Sequence, residues 1–316
     1  MNLDKTTKKI NSQIARTEVK GLVDLRIAYR EALEDIRDDI RKIYDKYAKN
    51  GALTYAEMTK YNRLSNLEKQ VMNVMNSLFR NSDRITERVQ AVSYEEAFYK
   101  HTWALSMVAE YKIKFGLLRT DDVRAAINNP LKKIAQGRLR TEGRTKIRRA
   151  ITQGLIRGDS YAGMSKAIKD AINGSYYDAE RIIRTEAGKA QTLGTLKSYE
   201  NARAEGVEAA QVWDATLDSK TRPDHASLDG DKAQRHGGEW MFSTSVGWVK
   251  GPHLSGVASF DIRCRCALRP VIQGYDPEVR RIRDEGVVPY TNFKDWAITN
   301  NITANRFGQK YDFVKG

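Results

Sequence analysis

The first half of the chain alternates apolar and polar positions with a helical period. From Leu22 the apolar residues are Leu22, Leu25, Tyr29, Leu33, Ile36, Ile40, Ile43 and Tyr47, and steps of three and four put them on one face of a helix. Leu22, Tyr29, Ile36 and Ile43 stand seven apart, the spacing of a coiled-coil-like seam. Between them Arg30, Glu31, Glu34, Asp35, Arg37 and Asp38 make a polar face of mixed sign. Asn50-Gly51 predicts the end of this helix. Thr54 with Glu57 reads as a capping box that opens a second helix, with Tyr61, Leu64, Leu67, Val71, Val74 and Leu78 on its apolar side. Ser93 with Glu96 predicts a third start, before Phe98, Leu105 and Val108, and Thr120-Asp121 caps a further short helix. Long helices with short connections predict a mainly α N-terminal half, either a bundle or an extended arm. His101 lies among core-type residues and reads as a packed or surface histidine.

Gly158-Asp159-Ser160 predicts another helix start, with Met164, Ile168 and Ile172, and a separate helix follows with Ile182, Ile183, Ala187, Ala190, Leu193 and Leu196. After Gly206 the texture changes. Trp213, the glycines and the polar turns predict a small α+β unit with short strands, roughly residues 207 to 272. The stretch from Tyr275 on, with Pro277, Pro289, Tyr290 and Trp296, reads as a tail wrapped on the fold. A chain of 316 residues exceeds one ordinary core. The expected organisation is a helical domain at 1–130, a basic segment at 131–157, an α+β domain at 158–272 and a C-terminal tail at 273–316.

Charge sharpens this picture. The chain carries 54 Lys+Arg against 40 Asp+Glu, a net of +14, which fits a polyanionic partner or, more plainly, a solubilising surface. Lys132, Lys133, Arg138, Arg140, Arg144, Lys146, Arg148, Arg149 and Arg157 face a single acid, Glu142. Gly137 and Gly143 predict that this segment is loose, and a flexible basic stretch suits sequence-independent contact with the phosphates of double-stranded DNA. A solvated helix face is the other reading. The segment has no aromatic residue, which argues against base stacking there. No apolar run approaches the roughly 18 residues of a membrane span, and the polar first 20 residues have no secretory h-region. No membrane association is therefore expected, and the protein is expected in the cytoplasm of the cell that makes it. The two cysteines, Cys264 and Cys266, are too close for an unstrained bridge, which leaves metal ligation or packing.

Three short pieces lie close together. Arg184-Thr185-Glu186 sits in a helix beside Ala187, Gly188 and Ala190. Trp213-Asp214-Ala215-Thr216-Leu217-Asp218 leads to Thr221-Arg222-Pro223-Asp224-His225 and then Leu228-Asp229-Gly230. Cys264-Arg265-Cys266 closes the series before Ala267-Leu268-Arg269-Pro270. In this order and at these intervals they resemble the Mu F-like domain of phage minor head proteins, over about residues 155 to 272. The resemblance implies a virion structural protein in the head interior near the portal, with the portal protein and packaged DNA as partners, contacts to capsid or scaffolding protein, and a part in head morphogenesis and in DNA packaging or ejection. It also implies motif roles for Arg184, Glu186, Trp213, Asp218, Asp229 and Gly230. Carboxylates in turns bond backbone amides, and Arg184 or Glu186 is expected to pair with the turn residues. Many Mu F-like domains carry a zinc-like Cys-x-x-Cys and His-x-x-Cys-x-Cys pattern. Here the matching positions are Arg222, His225, Asp261, Cys264 and Cys266, so His225, Asp261, Cys264 and Cys266 are the candidate ligands of one structural zinc, with Asp224 or His253 as substitutes for Asp261. The opposing reading is that metal is lost and Arg222 pairs with Asp261.

Two other functions compete with a structural, non-enzymatic one. His225 with Asp218, Asp224 and Asp229 suggests a metal-dependent nuclease or toxin-like enzyme acting on nucleic acid, although no phosphate-binding loop, nucleophile elbow or His-Glu-x-x-His motif is present. A host nucleoid or RNA-binding protein would use the basic stretch, but would leave the three pieces unexplained.

Overall fold

The computed structural model describes residues 3–108 and 117–272, the backbone of 279–282 and 286–289, and Asp295, Ile298 and Thr299. Helices α1 (Leu3–Tyr47), α2 (Tyr55–Thr59), α3 (Arg63–Val108), α4 (Thr120–Ile127), α5 (Pro130–Arg157) and α6 (Tyr161–Ala204) precede a strand-bearing region. That region holds β1 (Ala210–Asp214), α7 (Pro223–Ser227), β2 (Gln234–His236), β3 (Glu239–Thr244), β4 (Gly247–Val249), α8 (Ala258–Asp261), β5 (Ala267–Val271), β6 (Val279–Ile282) and β7 (Gly286–Pro289). The fold is mainly α at its N-terminal side and α+β after it, as expected. It comprises two compact units of discontinuous sequence. One gathers Val19–Val89 and Asn129–Ile183; the other gathers Met1–Glu18, Gln90–Asn128 and Arg184–Gly316. The boundary expected at 130 falls within two residues of the division between Asn128 and Asn129, whereas that at 157 lies inside the bundle unit.

The first unit is an antiparallel four-helix bundle. Asp24 pairs with Arg88, joining α1 to α3, and Asp83 pairs with Arg140, joining α3 to α5. Lys146 and Asp178 join α5 to α6 at 4.0 Å. The Tyr29 hydroxyl donates to the Ser175 carbonyl at 3.2 Å, and the Tyr44 hydroxyl to that of Asp159 at 2.7 Å, closing α6 on α1. Leu25, Ile36, Val71, Met75, Ile147 and Ile168 are fully buried in its core. Of the seam read from Leu22, Leu22, Leu25, Tyr29, Ile36 and Ile40 are buried and Leu33, Ile43 and Tyr47 half-buried, and the helix already begins at Leu3.

Several expected helix boundaries are displaced. Thr54 does cap α2, accepting from the Glu57 amide at 3.3 Å, but the Glu57 carboxylate goes to Lys60 and Arg63 and so fills only half of a capping box. The chain then kinks at Lys60–Asn62, where Tyr61 has φ 52° and is 84% exposed instead of lying on a helix face. Ser93 and Glu96 start nothing. They lie inside α3, where Ser93 is buried and Glu96 pairs with Lys100, because the buried stripe of Val89, Ala97 and Leu105 runs on uninterrupted. The separate helix expected after Ile172 does not form either, since α6 runs unbroken from Tyr161 to Ala204 through Gly174. An interior glycine costs about 1 kcal/mol, which the packing of Ser175 and Ile172 outweighs.

The basic segment is one regular helix, not a loose stretch. Asn129 caps it, accepting from the Leu131 amide at 3.1 Å, Pro130 opens it, and Gly158 ends it in the left-handed conformation at φ 65°. Its buried stripe is Lys132, Gln136, Leu139, Gly143, Ile147, Ile151, Gly154 and Leu155. Gly143 serves close packing: a Cβ there would stand 2.7 Å from Phe79 Cζ, whereas one on Gly137 would meet nothing within 4 Å.

The second unit has its own core. Trp213, Tyr199, Leu228, Phe242, Val249, Phe260 and Leu268 pack together in it. β1 pairs antiparallel with β5, placing Trp213 opposite Leu268, while β2, β3 and β4 form an antiparallel meander. In the tail, β6 pairs with β7, setting Val279 opposite Pro289. The expectations for Pro277, Tyr290 and Trp296 lie outside the described residues. Among the described residues no helix is long and apolar enough to cross a membrane. His101 is fully buried, its Nε2 3.2 Å from Asn11 Oδ1, and burial pushes its pKa down to about 4.

The two helix glycines give a paired test. Gly143→Val overpacks the α3–α5 contact and is expected to cost about 1–3 kcal/mol. Gly137→Ala removes backbone entropy in open space and is expected to add about 0.5–1 kcal/mol. Urea melts of both variants read the difference, and equal effects would show that α5 does not pack on Phe79.

Candidate functional site

The second unit brings together the residues that sequence spacing singled out. β1 carries Trp213 into the core, with ring centroids 5.3 Å from Phe242 and 6.2 Å from Phe260. After β1 the chain doubles back, and Asp229 accepts the Ala215 amide at 2.7 Å while Gly230 donates to the Trp213 carbonyl at 2.9 Å. Gly230 has φ 88°, open to glycine and strained for any other residue. Asp218 accepts the Lys220 amide at 2.9 Å and receives both guanidinium nitrogens of Arg265, one of them at 2.7 Å. The arginine of Cys264-Arg265-Cys266 therefore fastens the strand to the turn by a bidentate pair.

Between the turn and that strand lies a buried cluster. Short α7 presents His225, with Nδ1 3.3 Å from Cys266 Sγ and 3.4 Å from Cys264 Sγ. Its ring lies 4.3 Å from that of Phe260. One ligand atom from each of His225, Cys264 and Cys266 falls within 4.8 Å of the others. Burial pushes both thiols up. For Cys264, hydrogen bonds from the side chain and backbone amide of Cys266 override it and leave that thiol below its ordinary value, whereas Cys266 ends well above. Arg222 stands at the rim, donating to the Phe260 and Ile262 carbonyls, with Nη1 3.2 Å from His225 Nε2.

Asp261, the fourth expected ligand, is outside this group. Its carboxylate accepts from the Ser255 hydroxyl at 2.8 Å and the Gly256 amide at 2.8 Å, which fixes the turn before α8. The contacts of Arg222 run to carbonyls, so the alternative Arg222–Asp261 pair is not the arrangement seen. Asp224 accepts from Ser245 at 2.8 Å. His253 is buried against the helix at Gly188, and its Nδ1 has no partner among the described residues. The donor set thus offers one nitrogen and two sulfurs, suited to zinc in type and one short of a closed tetrahedral site. With Asp218, Asp224 and Asp229 each holding a turn or loop, the carboxylates proposed for a nuclease centre are not gathered on His225.

The Arg-Thr-Glu helix is tied down differently from expectation. Arg184 pairs with Glu18 of α1 at 2.6 Å, and the buried Glu186 accepts from Gln90 of α3 at 2.8 Å. Thr185, between them, accepts the Arg263 amide at 3.4 Å and so links α6 to the loop before Cys264. Nothing in the motif itself marked Thr185 for this. The small residue at Gly188 was the one available sign that something, here His253, packs closely on the helix.

The candidate DNA-binding residues form a separate group on α5. Lys133, Arg138, Arg144, Lys146, Arg148, Arg149 and Arg157 are exposed, Arg140 is half-buried, and Lys132 is buried in the bundle-facing stripe. Arg138 pairs with Glu142, Arg148 lies 3.9 Å from Glu68, and Arg157 pairs with Asp159 at 2.6 Å.

Long helices lead into a Trp213-centred strand unit, on which the Arg-Thr-Glu triplet, the Leu-Asp-Gly turn and the Cys-Arg-Cys strand converge. Residues 145–269 match the family model described as Phage Mu protein F like protein. The chain is 31% identical over 278 residues to minor head protein GP7 of Bacillus phage SPP1, covering 85% of this chain and 89% of that protein. It is 28% identical over 295 residues to NAD(+)–arginine ADP-ribosyltransferase EFV of Enterococcus faecalis, covering 91% of this chain but 58% of that one. No solved structure matches it. The chain belongs to the Mu F-like family of phage minor head proteins, and as such it is a component of the virion.

Arg265 and Asp218 test the architecture of the site. Asp218→Asn leaves a half-buried guanidinium with one weaker acceptor and is expected to cost roughly 1–3 kcal/mol. Arg265→Lys keeps the charge but not the fork, and is expected to lose most of the same amount. Chemical denaturation measures both, and a neutral result for Asp218→Asn would show that the pair does not hold the strand to the turn.

Proposed function

We propose that this minor head protein sits in the head interior near the portal and holds packaged double-stranded DNA without regard to sequence, acting in head morphogenesis and in DNA packaging or ejection. The observation that carries the DNA part is where the charge lies. The bundle unit has 26 basic against 16 acidic side chains, so it holds most of the excess of the whole chain. Its most basic element is a rigid helix, which lowers the entropy lost on binding compared with a mobile tail. The same reading takes the portal as protein partner, with capsid or scaffolding contacts and passage through the host cytoplasm during assembly, and the resemblance to phage minor head proteins supports it. For the buried cluster, we propose one structural zinc on His225, Cys264 and Cys266.

Each part has its own test. Binding of a mixed-sequence duplex should weaken steeply with salt, and changing Arg138, Arg144, Arg148 and Arg149 to Gln should lower the salt slope by about three to four, near 0.9 per lost phosphate contact. An unchanged slope removes the DNA role. Co-expression with the cognate portal should give a complex in pull-downs, and no association even at low salt removes the portal role. Protein purified without chelator should contain about one zinc per chain, lost in Cys266→Ser. Metal-free protein with an intact fold would reduce the cluster to packing.

A further inference from the structure

We propose that the DNA-binding face is a seam between two helices, to which α3 contributes Lys69, Arg80 and Arg84 beside the arginines of α5, and that the α1–α6 side of the bundle takes no part. This rests on the DNA reading above, and adds residues to which the basic run in α5 does not point.

The bundle's connectivity separates two sides. α3 and α5 are neighbours, α1 and α6 are neighbours, and the two pairs stand opposite each other because each helix touches one member of the other pair. The charge divides along the same line. α5 has nine basic residues against one acidic, and the bundle part of α3, residues 63–89, has five against three. Residues 19–47 of α1 carry seven against seven, and residues 161–183 of α6 carry three against three. The excess is therefore confined to one side.

Side-chain geometry concentrates it further. Arg140, Arg144 and Arg148 repeat every four residues, about 6 Å along the helix axis. All three reach across to α3, to Asp83, Asn76 and Glu68 respectively. Their guanidinium groups therefore overlie the α3–α5 boundary. Arg80 stands four residues after Asn76 and three before Asp83, on the same stripe of α3; Arg84 is about one turn further on and Lys69 about three turns back. Lys69, Arg80 and Arg84 are exposed. Ion pairs such as Arg148–Glu68 are exposed enough to be worth about 0–1 kcal/mol, so they pre-orient the arginines and yield readily to phosphate. A regular row of guanidinium groups flanked by a second row of cations complements the evenly spaced charges of a duplex backbone. The opposite side presents Arg26 and Arg30 among Tyr29, Leu33, Tyr176 and Glu180, a mixed surface without a charge excess.

The test compares three full-length variants in duplex binding across a salt series, with circular dichroism confirming the fold of each. Lys69, Arg80 and Arg84 changed together to Gln should lower the salt slope by about two to three. Arg26 and Arg30 changed to Gln should leave slope and affinity as in the parent. The α5 variant described above anchors the comparison. If the α5 variant loses slope and the α3 variant does not, the seam is wrong and the DNA role stands. If neither loses slope, both fail. If the α1 variant loses as much per charge removed as the α3 variant, binding follows net charge alone and the seam is equally overturned.

Discussion

Burial of one stripe of α5 is the constraint on which the functional surface depends. Leu139, Gly143, Ile147, Ile151 and Leu155 must face the bundle core, and Gly143 lets Phe79 come close enough to fill it. Once that stripe is fixed, helical geometry leaves the arginines no choice but to line the outside and the flank toward α3. Apolar burial on one side thus sets the electrostatics on the other, since a helix that turned its charged face inward would bury cations without partners. Lys132 is the exception at the helix start, buried but with interactions of its own.

The strand unit depends on a different device. Its core is centred on Trp213, but the chain reaches that core through turns whose register is held by single polar contacts: Asp229 on the Ala215 amide, Asp218 on Lys220 and Arg265, Asp261 on Ser255 and Gly256. These carboxylates make backbone-directed bonds, which explains why acidic residues recur in the motif without assembling into a catalytic group. The same turns deliver His225 to the two thiols. In this chain those acidic residues keep a short α+β unit in register.

Much of this could be read from the residues. The α1 seam and the Trp213 strand follow from local pattern, and the convergence of His225 with Cys264 and Cys266 is what the Mu F-like resemblance implies. The continuity of α3 and α6 could not be read. Ser93-x-x-Glu96 is a genuine local signal that tertiary burial overrides, and a capping motif says nothing about whether the backbone actually stops. Tyr61 misled in the opposite direction, completing an apolar pattern while occupying a kink. α5 was obscured because its buried stripe includes Lys132, Gln136 and two glycines, while Gly137 and Gly143 suggested a loose basic segment. The division into two units was hidden for a deeper reason: α1, α3 and α6 each contribute residues to both, and no composition shift marks a point inside a continuous helix.

The central claim is that the basic stretch works as a rigid, packed helix. Hydrogen–deuterium exchange on the free protein tests it directly, because packed helical amides exchange only through opening of the surrounding structure. Amides of residues 136–155 are expected to be protected to the same degree as those of residues 67–89 in α3, before any DNA is added. Rapid exchange across 136–155, slowing only when DNA is present, would contradict it and restore a flexible segment that orders on its ligand.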